Sequence, residues 1–328
     1  MTMSPAQKTF NHIVAFDVSK DSLTVHVLPG DERLTIANKP KAIRKLLMAQ
    51  MRRNAGLNLG RLLVICEATG GYERHVLEIS VELGLDAHKA HGSRVRHFAK
   101  YLGLIAKTDP IDARVLAIFG LKTADLRLYA PLTAEEAALA DLRARRDQLQ
   151  KMLLAETNRL EHARHASVTK SLNGHIAILR KELAALEASI AAHIQASEVL
   201  SGKARLMRSL KCIGPATVTA VLAYMPEIGA LPNARAAHLA GLAPIDNQSG
   251  KSKLPSQIGA GRAAVRKALY MPALNAMRHN PVMKAFAERL KRNGKPKKAV
   301  IAAVMRKLIV TLNAILRQGK PWRYAEMA

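Results

Sequence analysis

The 328-residue sequence has few cysteines and few aromatic residues, and it lacks long apolar runs. Its two cysteines, Cys66 and Cys212, exclude a disulfide framework and a cysteine-based zinc site, and they fit a reducing compartment. Aromatic residues make up 4% of the chain, so base stacking is not expected as a main binding mode. The sequence contains no run of about 18 apolar residues, so a membrane-spanning helix is not expected. Residues 1–10 lack the apolar segment of a signal peptide, so we expect a cytoplasmic protein.

Acidic residues are scarce in the C-terminal part of the chain. The whole sequence has a formal net charge of +26, and residues 201–328 hold 23 Lys and Arg against 4 Asp and Glu. Residues 1–130 hold 19 against 12, and residues 131–200 hold 9 against 9. This distribution favours a nucleic-acid partner whose phosphates contact residues 201–328, although a merely soluble basic surface is the alternative.

Residues 10–130 predict a mixed α/β domain. His12–Val18 and Ser22–Leu28 are rich in valine and predict a strand hairpin, and the apolar run Leu62–Cys66 predicts a central buried strand. The other elements predicted here are strands over 33–37 and 85–90 and helices over 40–53, 72–83 and 93–102.

Residues 131–328 predict helices only. Leucines at a spacing of three and four residues predict two long helices within 131–203, folded as an antiparallel coiled-coil hairpin with a turn at Ser171–Gly174. We expect this hairpin to serve in spacing or self-association. Gly214-Pro215 opens a predicted helix that resembles half of a helix-hairpin-helix motif, although a Gly-Pro pair also begins ordinary helices. Shorter helices are predicted over 233–242, 261–278, 281–292 and 296–317.

Four carboxylates in the N-terminal part of the chain suggest a catalytic metal site. Asp17 ends the first strand and Glu67 ends the run at 62–66, while Asp109 and Asp112 lie three residues apart at a predicted helix start. If the fold brings them together, they would need divalent cations, which take oxygen ligands and can clamp a phosphodiester. The alternative is that Asp109 and Asp112 only cap the helix and Asp17 only starts a turn.

A polar segment around Ser249-Gly250 is predicted to form a loop between helices. Basic residues surround this serine, and we predict that they contact phosphates: Lys251, Lys253, Arg262, Arg266 and Lys267. Gly-Lys-Ser at 250–252 is not a P-loop, because position 245 is Ile and no strand is predicted before it. The alternative reading is a flexible basic loop that only holds DNA. His88, His91 and His97 lack partners at metal-ligand spacing and are interpreted as solvated or core residues.

The combined motifs resemble transposases of the insertion-sequence 110 family. The matching segments, in the family's order over nearly the whole chain, are AspValSerLys at 17–20, GluAlaThrGly at 67–70, LysThrAspProIleAspAlaArg at 107–114 and the GlyLeuAlaPro…SerGly…Gly…Arg segment at 241–269. One departure is Lys267-Ala268, where such segments often read Leu-Arg.

The resemblance implies two domains, which lie on either side of the predicted hairpin over 131–203. They are a RuvC-like domain of the ribonuclease H fold over 10–130 and a basic helical transposase domain over 204–328. By motif, Asp17, Glu67, Asp109 and Asp112 bind Mg²⁺ or Mn²⁺. Ser249 matches the catalytic serine, with Ser252 and Ser256 as competitors.

The resemblance also implies the partners. Members of the family use a structured non-coding bridge RNA that pairs with donor and target DNA, and they assemble from dimers into tetramers. The expected activity is therefore bridge-RNA-guided strand exchange through a phosphoserine, in a bacterial, nucleoid-associated protein. One active site would combine the carboxylates of one protomer with the serine of another.

Two alternatives belong to other classes. A metal-dependent RuvC-like nuclease, such as a Holliday-junction resolvase, would use water as the nucleophile and Ser249 only structurally. A non-catalytic nucleic-acid scaffold would tolerate loss of Asp17 or Glu67. Acidic strand ends in a basic chain disfavour the scaffold, because unneutralised carboxylates repel phosphates.

Overall fold

A computed structural model describes residues 10–104, 109–124, 126–249 and 252–323, without the side chains of 109–111, 246–249 and 252–256. The chain divides into two compact units, residues 1–131 and 132–328. The first unit contains five strands and four helices among its described residues. They are β1 (His12–Val18), β2 (Ser22–Leu28), β3 (Glu32–Ala37), α1 (Pro40–Leu57), β4 (Leu62–Glu67), α2 (Arg74–Glu82), β5 (Asp86–Ala90), α3 (Gly92–Tyr101) and α4 (Asp109–Lys122).

The five strands form one mixed sheet in the order β3-β2-β1-β4-β5. β1 and β2 pair antiparallel, as do β2 and β3, whereas β4 is parallel to both β1 and β5. The two central strands, β1 and β4, are buried along most of their length, as the apolar run in β4 predicts. The prediction of a mixed α/β fold followed by helices is thus confirmed.

Side-chain alternation divides the core of the first unit into two layers. Val14 and Phe16 of β1, with Val64 of β4, face the layer formed with α1 and α2. Ile13 of β1 and Ile65 of β4 face the opposite layer, which α3 and α4 cover. Alternate residues of a strand point to opposite faces of the sheet, so neighbouring residues in these strands contact different pairs of helices.

The second unit is helical apart from one two-stranded ribbon among its described residues. Its elements are α5 (Ala134–His162), α6 (Ala166–Ala196), α7 (Glu198–Arg208), α8 (Pro215–Tyr224), α9 (Asn233–Leu239), β6 (Pro244–Ser249), β7 (Ser252–Ile258), α10 (Ala263–His279), α11 (Pro281–Arg292) and α12 (Lys297–Gln318). One apolar core joins α7–α12 with the base of the α5–α6 pair.

The α5–α6 pair forms the predicted helical hairpin, but the predicted turn position is wrong. The chain reverses at residues 163–165, and α6 runs without a break through Ser171–Gly174. His165 caps α6 by accepting a hydrogen bond from the Ser167 amide, and Gly174 faces open space. Burial of Ile176 and Leu179 where α6 packs along α5 outweighs the weak helix propensity of Ser171–Gly174.

Polar residues in the seam of the hairpin are paired. Arg146 of α5 donates two hydrogen bonds to Glu187 of α6, at 3.0 and 2.8 Å. At the base, Arg143 donates to the Ala216 carbonyl (3.1 Å) and the Thr219 hydroxyl (2.9 Å) of α8. These bonds fasten the hairpin to the helical core of the same unit.

α12 is the helix at the centre of the second unit. Among the described residues it alone is long and apolar enough to span a membrane, and 56% of its most apolar stretch is buried in the protein. Val304, Leu308 and Leu312 are fully inaccessible, and they pack in the core shared with α9, α10 and α11. Its apolar composition is therefore accounted for by its place in the core.

Candidate active site

Asp17 and Glu67 end adjacent parallel strands at the same edge of the sheet. The β1–β4 register pairs Phe16 with Cys66, which places Asp17 beside Glu67 one residue further on. Asp17 lies four residues after Ile13, and Glu67 lies two residues after Ile65, so each points to the same face of the sheet as that isoleucine. The side chains of Ile13 and Ile65 lie in the layer covered by α3 and α4. The fold thus directs both carboxylates toward the same two helices.

α4 covers the face of the sheet toward which Asp17 and Glu67 are directed. Gly120, near the end of α4, lies against Ile13 and Leu63 at the beginnings of β1 and β4, and Arg114, near its start, pairs with Asp31 between β2 and β3. That Asp112 joins Asp17 and Glu67 stays a prediction.

Asp109 is the first residue of α4, three residues before Asp112. The i, i+3 spacing places the two residues on one side of the helix, as the sequence predicts. The side chain of Asp109 lies outside the described residues. Among the side chains that the structure describes, no three acidic, histidine or cysteine groups gather closely enough to hold a metal ion. The oxygen donors at this edge are nevertheless of the type that Mg²⁺ prefers.

Glu67 packs against the first turn of α3. A methyl group on the Cα of Gly92 would lie 3.0 Å from the Glu67 carboxyl carbon and would overlap its Oε1. The Arg96 Nη2 atom lies 3.4 Å from the same methyl position, and Arg96 Nε donates to the Gly92 carbonyl. Glycine at position 92 therefore provides the space that the Glu67 carboxylate occupies.

Glu73 organises the loop that follows Glu67, and sequence reasoning missed it. Its buried carboxylate accepts hydrogen bonds from the amides of Thr69 (3.1 Å) and Gly71 (2.8 Å) and pairs with Lys89 of β5. Burial alone would raise its pKa, but these donors outweigh burial and lower the pKa to about 2. The consecutive glycines Gly70 and Gly71 were the available sequence signal for a loop of defined conformation, and both have positive φ in the structure.

Neither cysteine nor the predicted histidine group forms a reactive centre. Burial raises the pKa of the Cys66 and Cys212 thiols, which keeps both protonated near neutral pH. His88 is a core residue whose Nδ1 lies 2.7 Å from the Arg127 carbonyl, and His91 caps α3. His97 is exposed. The interpretation of these histidines as structural or solvated agrees with the structure.

The predicted loop around Ser249 is instead a β-hairpin. β6 ends at Ser249, which pairs with Ser252 at the start of β7, and Ser256 lies further along β7. Strand β6 could not be predicted from its polar sequence, because that sequence lacks the regular alternation of apolar residues. The backbone pairing places Ser249 at the end of the hairpin, next to the two residues that join its strands.

The base of this hairpin is held by close backbone contact between two glycines. A methyl group on Gly261 would lie 2.5 Å from the Gly241 nitrogen and 2.6 Å from the Leu239 carbonyl oxygen. Both glycines have positive φ, and the Arg262 amide donates to the Leu239 carbonyl (2.7 Å). Arg266 donates to the Ala260 carbonyl (2.9 Å), which ties α10 to this crossing. The Gly-rich segments thus fix where the hairpin leaves the helical core.

The five basic residues predicted to contact phosphates differ in their surroundings. Arg262 donates two hydrogen bonds to Glu227, at 2.7 and 2.6 Å, and Arg266 bonds to backbone carbonyls, so both have structural roles. Lys267 is exposed on α10. Lys251 and the side chain of Lys253 lie outside the described residues. Phosphate binding by the five residues stays a prediction.

Comparison with known proteins places the chain in a family. A family model described as Transposase, of the DEDD type of IS110 elements, matches residues 14–163, and one described as Transposase IS116/IS110/IS902 family matches residues 204–288. The Pilin gene-inverting proteins of Moraxella lacunata and Moraxella bovis are each 30% identical over 269 residues, covering 81% of this chain and 83% of theirs. The DEDD-type domain indicates dependence on a divalent metal. The chain belongs to the IS110 family of transposases and is a DNA recombinase.

Proposed function

We propose that this transposase cuts and rejoins DNA strands through a covalent phosphoserine at Ser249, guided by a bridge RNA. The observation that carries the proposal is that Asp17 and Glu67 end adjacent parallel strands at one edge of a sheet. A second support is the hairpin that ends β6 at Ser249 on a base fixed by Gly241 and Gly261.

The carboxylate edge is proposed to be the metal site of a RuvC-like domain of the ribonuclease H fold. Asp17, Glu67, Asp109 and Asp112 would bind Mg²⁺, which when bound supplies positive charge beside the scissile phosphate. The hard oxygen donors and the mixed sheet support this assignment. Glu73 and Gly92 would then be positioning residues for Glu67 and its loop.

The chemical step at Ser249 is a transesterification. The Ser249 Oγ–P bond forms, the P–O bond to one deoxyribose breaks, and the hydroxyl proton passes through solvent to the departing sugar oxygen. The hydroxyl of the second DNA strand then attacks the phosphoserine and releases Ser249. Because each step exchanges one phosphodiester for another, strand exchange needs no nucleotide hydrolysis.

The relatives named as gene-inverting proteins support this chemistry. Inverting a DNA segment requires that strands be cut and rejoined in a new order, which a covalent intermediate allows. We extend this activity to donor and target DNA, with sequence read by base pairing to the RNA. The proposed assembly is a tetramer of two dimers in the cytoplasm, associated with the nucleoid.

The test is a cleavage assay with labelled duplex DNA, the element's RNA and Mg²⁺, resolved on a denaturing protein gel. We expect a labelled protein–DNA adduct that is lost in Ser249→Ala and kept in the matched controls Ser252→Ala and Ser256→Ala. Free cut ends that persist in Ser249→Ala would instead show a metal-dependent nuclease that uses water.

A further inference from the structure

The corner between α11 and α12 carries the densest run of exposed cations in the described sequence of the second unit. Residues 291–298 include five exposed cations and no acidic residue: Lys291, Arg292, Lys295, Lys297 and Lys298. No Asp or Glu occurs between Glu288 and Glu326. We call residues 291–298 the basic corner.

The charges of the basic corner have no acidic partners among the described residues. The helices packed most closely on α11 and α12 are α7, α9 and α10, and they contain one acidic residue, Glu198. Elsewhere, exposed arginines do find partners: Arg44 pairs with Glu82, and Arg53 pairs with Glu32. The basic corner therefore presents uncompensated positive charge to solvent.

Two of these cations stand where a helix disfavours them. Lys297 and Lys298 occupy the first turn of α12, which has no acidic residue, and Pro296 provides no side-chain cap. A cation beside the positive end of the helix dipole destabilises the helix. A bound polyanion would remove this repulsion, so the charges favour a complex more than the isolated protein.

We propose that the basic corner binds the sugar-phosphate backbone of duplex DNA. The inference rests on the proposed function, since recombination requires the protein to hold duplex DNA. Phe286 is the aromatic residue nearest in sequence, and the cations of Arg289 (5.5 Å) and Lys307 (4.7 Å) lie over its ring. The corner thus offers charge without a stacking surface, which suits a paired backbone better than unstacked bases. It lies beyond the family-model match that ends at residue 288.

The test is the salt dependence of binding, measured by fluorescence anisotropy in EDTA with a short DNA duplex, an RNA duplex and a single strand. The variant Lys295→Gln/Lys297→Gln/Lys298→Gln should reduce the slope of log K against log salt by about 2.7 for duplex DNA. The matched control, Lys41→Gln/Lys45→Gln/Arg52→Gln, removes three exposed charges of α1 that have no ion pair among the described residues. Its slope should equal that of the wild type.

Each outcome decides the proposal. A reduced slope for the DNA duplex in the corner variant alone supports it. Equal losses in both variants, an unchanged slope, or a loss confined to the RNA duplex or to the single strand would overturn it. Because binding is measured without metal and without cleavage, failure of the Ser249 mechanism leaves this result unaffected. Removing lysines from the first turn of α12 should raise its stability slightly, so thermal melting verifies that the variant is folded.

Discussion

At the residue scale, the carboxylate edge depends on groups that hold Glu67 and its loop in place. Gly92 leaves room for the Glu67 carboxylate, and Glu73 fastens the loop 68–72 with its backbone bonds and its ion pair to Lys89. Neither residue belongs to the motif that identifies the family. Gly92 and Glu73 act by positioning Glu67 and its loop, and we assign neither residue a chemical step.

Gly92→Ala should move the Glu67 carboxylate and lower the cleavage rate at least tenfold, because displacing a catalytic group by about 1 Å can cost that much or more. The fold should persist, since α3 accepts alanine at this position. The measurement is the cleavage rate as a function of Mg²⁺ concentration, which should require more metal for half-maximal rate. Gly56→Ala is the matched control, because a methyl group there meets nothing within 4 Å. Wild-type metal dependence in Gly92→Ala would contradict the positioning role.

Glu73→Gln should destabilise the first unit in a pH-dependent way. Folding lowers the pKa of Glu73 from 4.5 to about 2, so its stabilisation is present above pH 4.5 and is lost as the pH falls toward 2. The shift corresponds to about 3 kcal/mol near neutral pH. The difference in melting temperature between wild type and Glu73→Gln should therefore be large at pH 7 and smaller at pH 3. An equal difference at both pH values would contradict this account.

At the element scale, the serine is carried by a hairpin whose base is fixed and whose strands are polar. Gly241 and Gly261 cross at backbone distance, and Arg266 ties the crossing to α10. The Gly-Leu-Ala-Pro and Gly-Arg parts of the family motif are thereby explained as structure. They position the hairpin, and Ser249 is the residue to which we assign the chemistry.

Gly261→Ala should displace the hairpin base and abolish adduct formation, with a stability loss of about 2 kcal/mol or more, because a methyl group meets backbone atoms that cannot move aside. Gly259→Ala is two residues away, in open space and without positive φ. Its stability should change by less than about 0.5 kcal/mol. Both variants are compared by thermal melting and by the adduct gel. Equal stability and equal adduct formation in the two variants would refute the role of Gly261 in the hairpin base.

The sequence predicted elements best where local pattern and packing agree. The bounds of β1 and β2 were predicted correctly because their residues are good strand formers and most of them are buried in the sheet. The turn at Ser171–Gly174 was wrong because contacts along α5 override local propensity. The ribbon of β6 and β7 was missed because polar strands carry little periodic signal. Glu73, which precedes α2, was missed because its partner Lys89 lies on β5, 16 residues further along the chain.

At the scale of the whole molecule, the two parts of the proposed chemistry lie in different compact units. The carboxylate edge belongs to residues 1–131 and the serine hairpin to residues 132–328. We propose that the working site joins the first unit of one protomer to the second unit of another. The net charge of +19 in residues 201–328 would hold nucleic acid at that junction.

Mixing two inactive variants tests this arrangement. Asp17→Asn and Ser249→Ala should each fail to cleave alone, whereas oligomers assembled from both should recover cleavage. Recovery is expected because some sites would combine an intact carboxylate edge with an intact serine from different protomers. The measurement is the cleavage rate of the mixed oligomers after refolding together. Absence of recovery, with mixed oligomers verified by differential tagging, would place both groups in one protomer.

The central claim is that DNA becomes linked to Ser249, and peptide mass spectrometry of the trapped adduct tests it most directly. Trypsin separates the three candidate serines, because Ser249 lies in the peptide 236–251, Ser252 in 252–253 and Ser256 in 254–262. After nuclease digestion, the account predicts a nucleotide phosphate on the peptide 236–251, formed only with Mg²⁺ and absent in Glu67→Gln. A modified peptide containing Ser252 or Ser256, or cleaved DNA with no modified peptide, would contradict it.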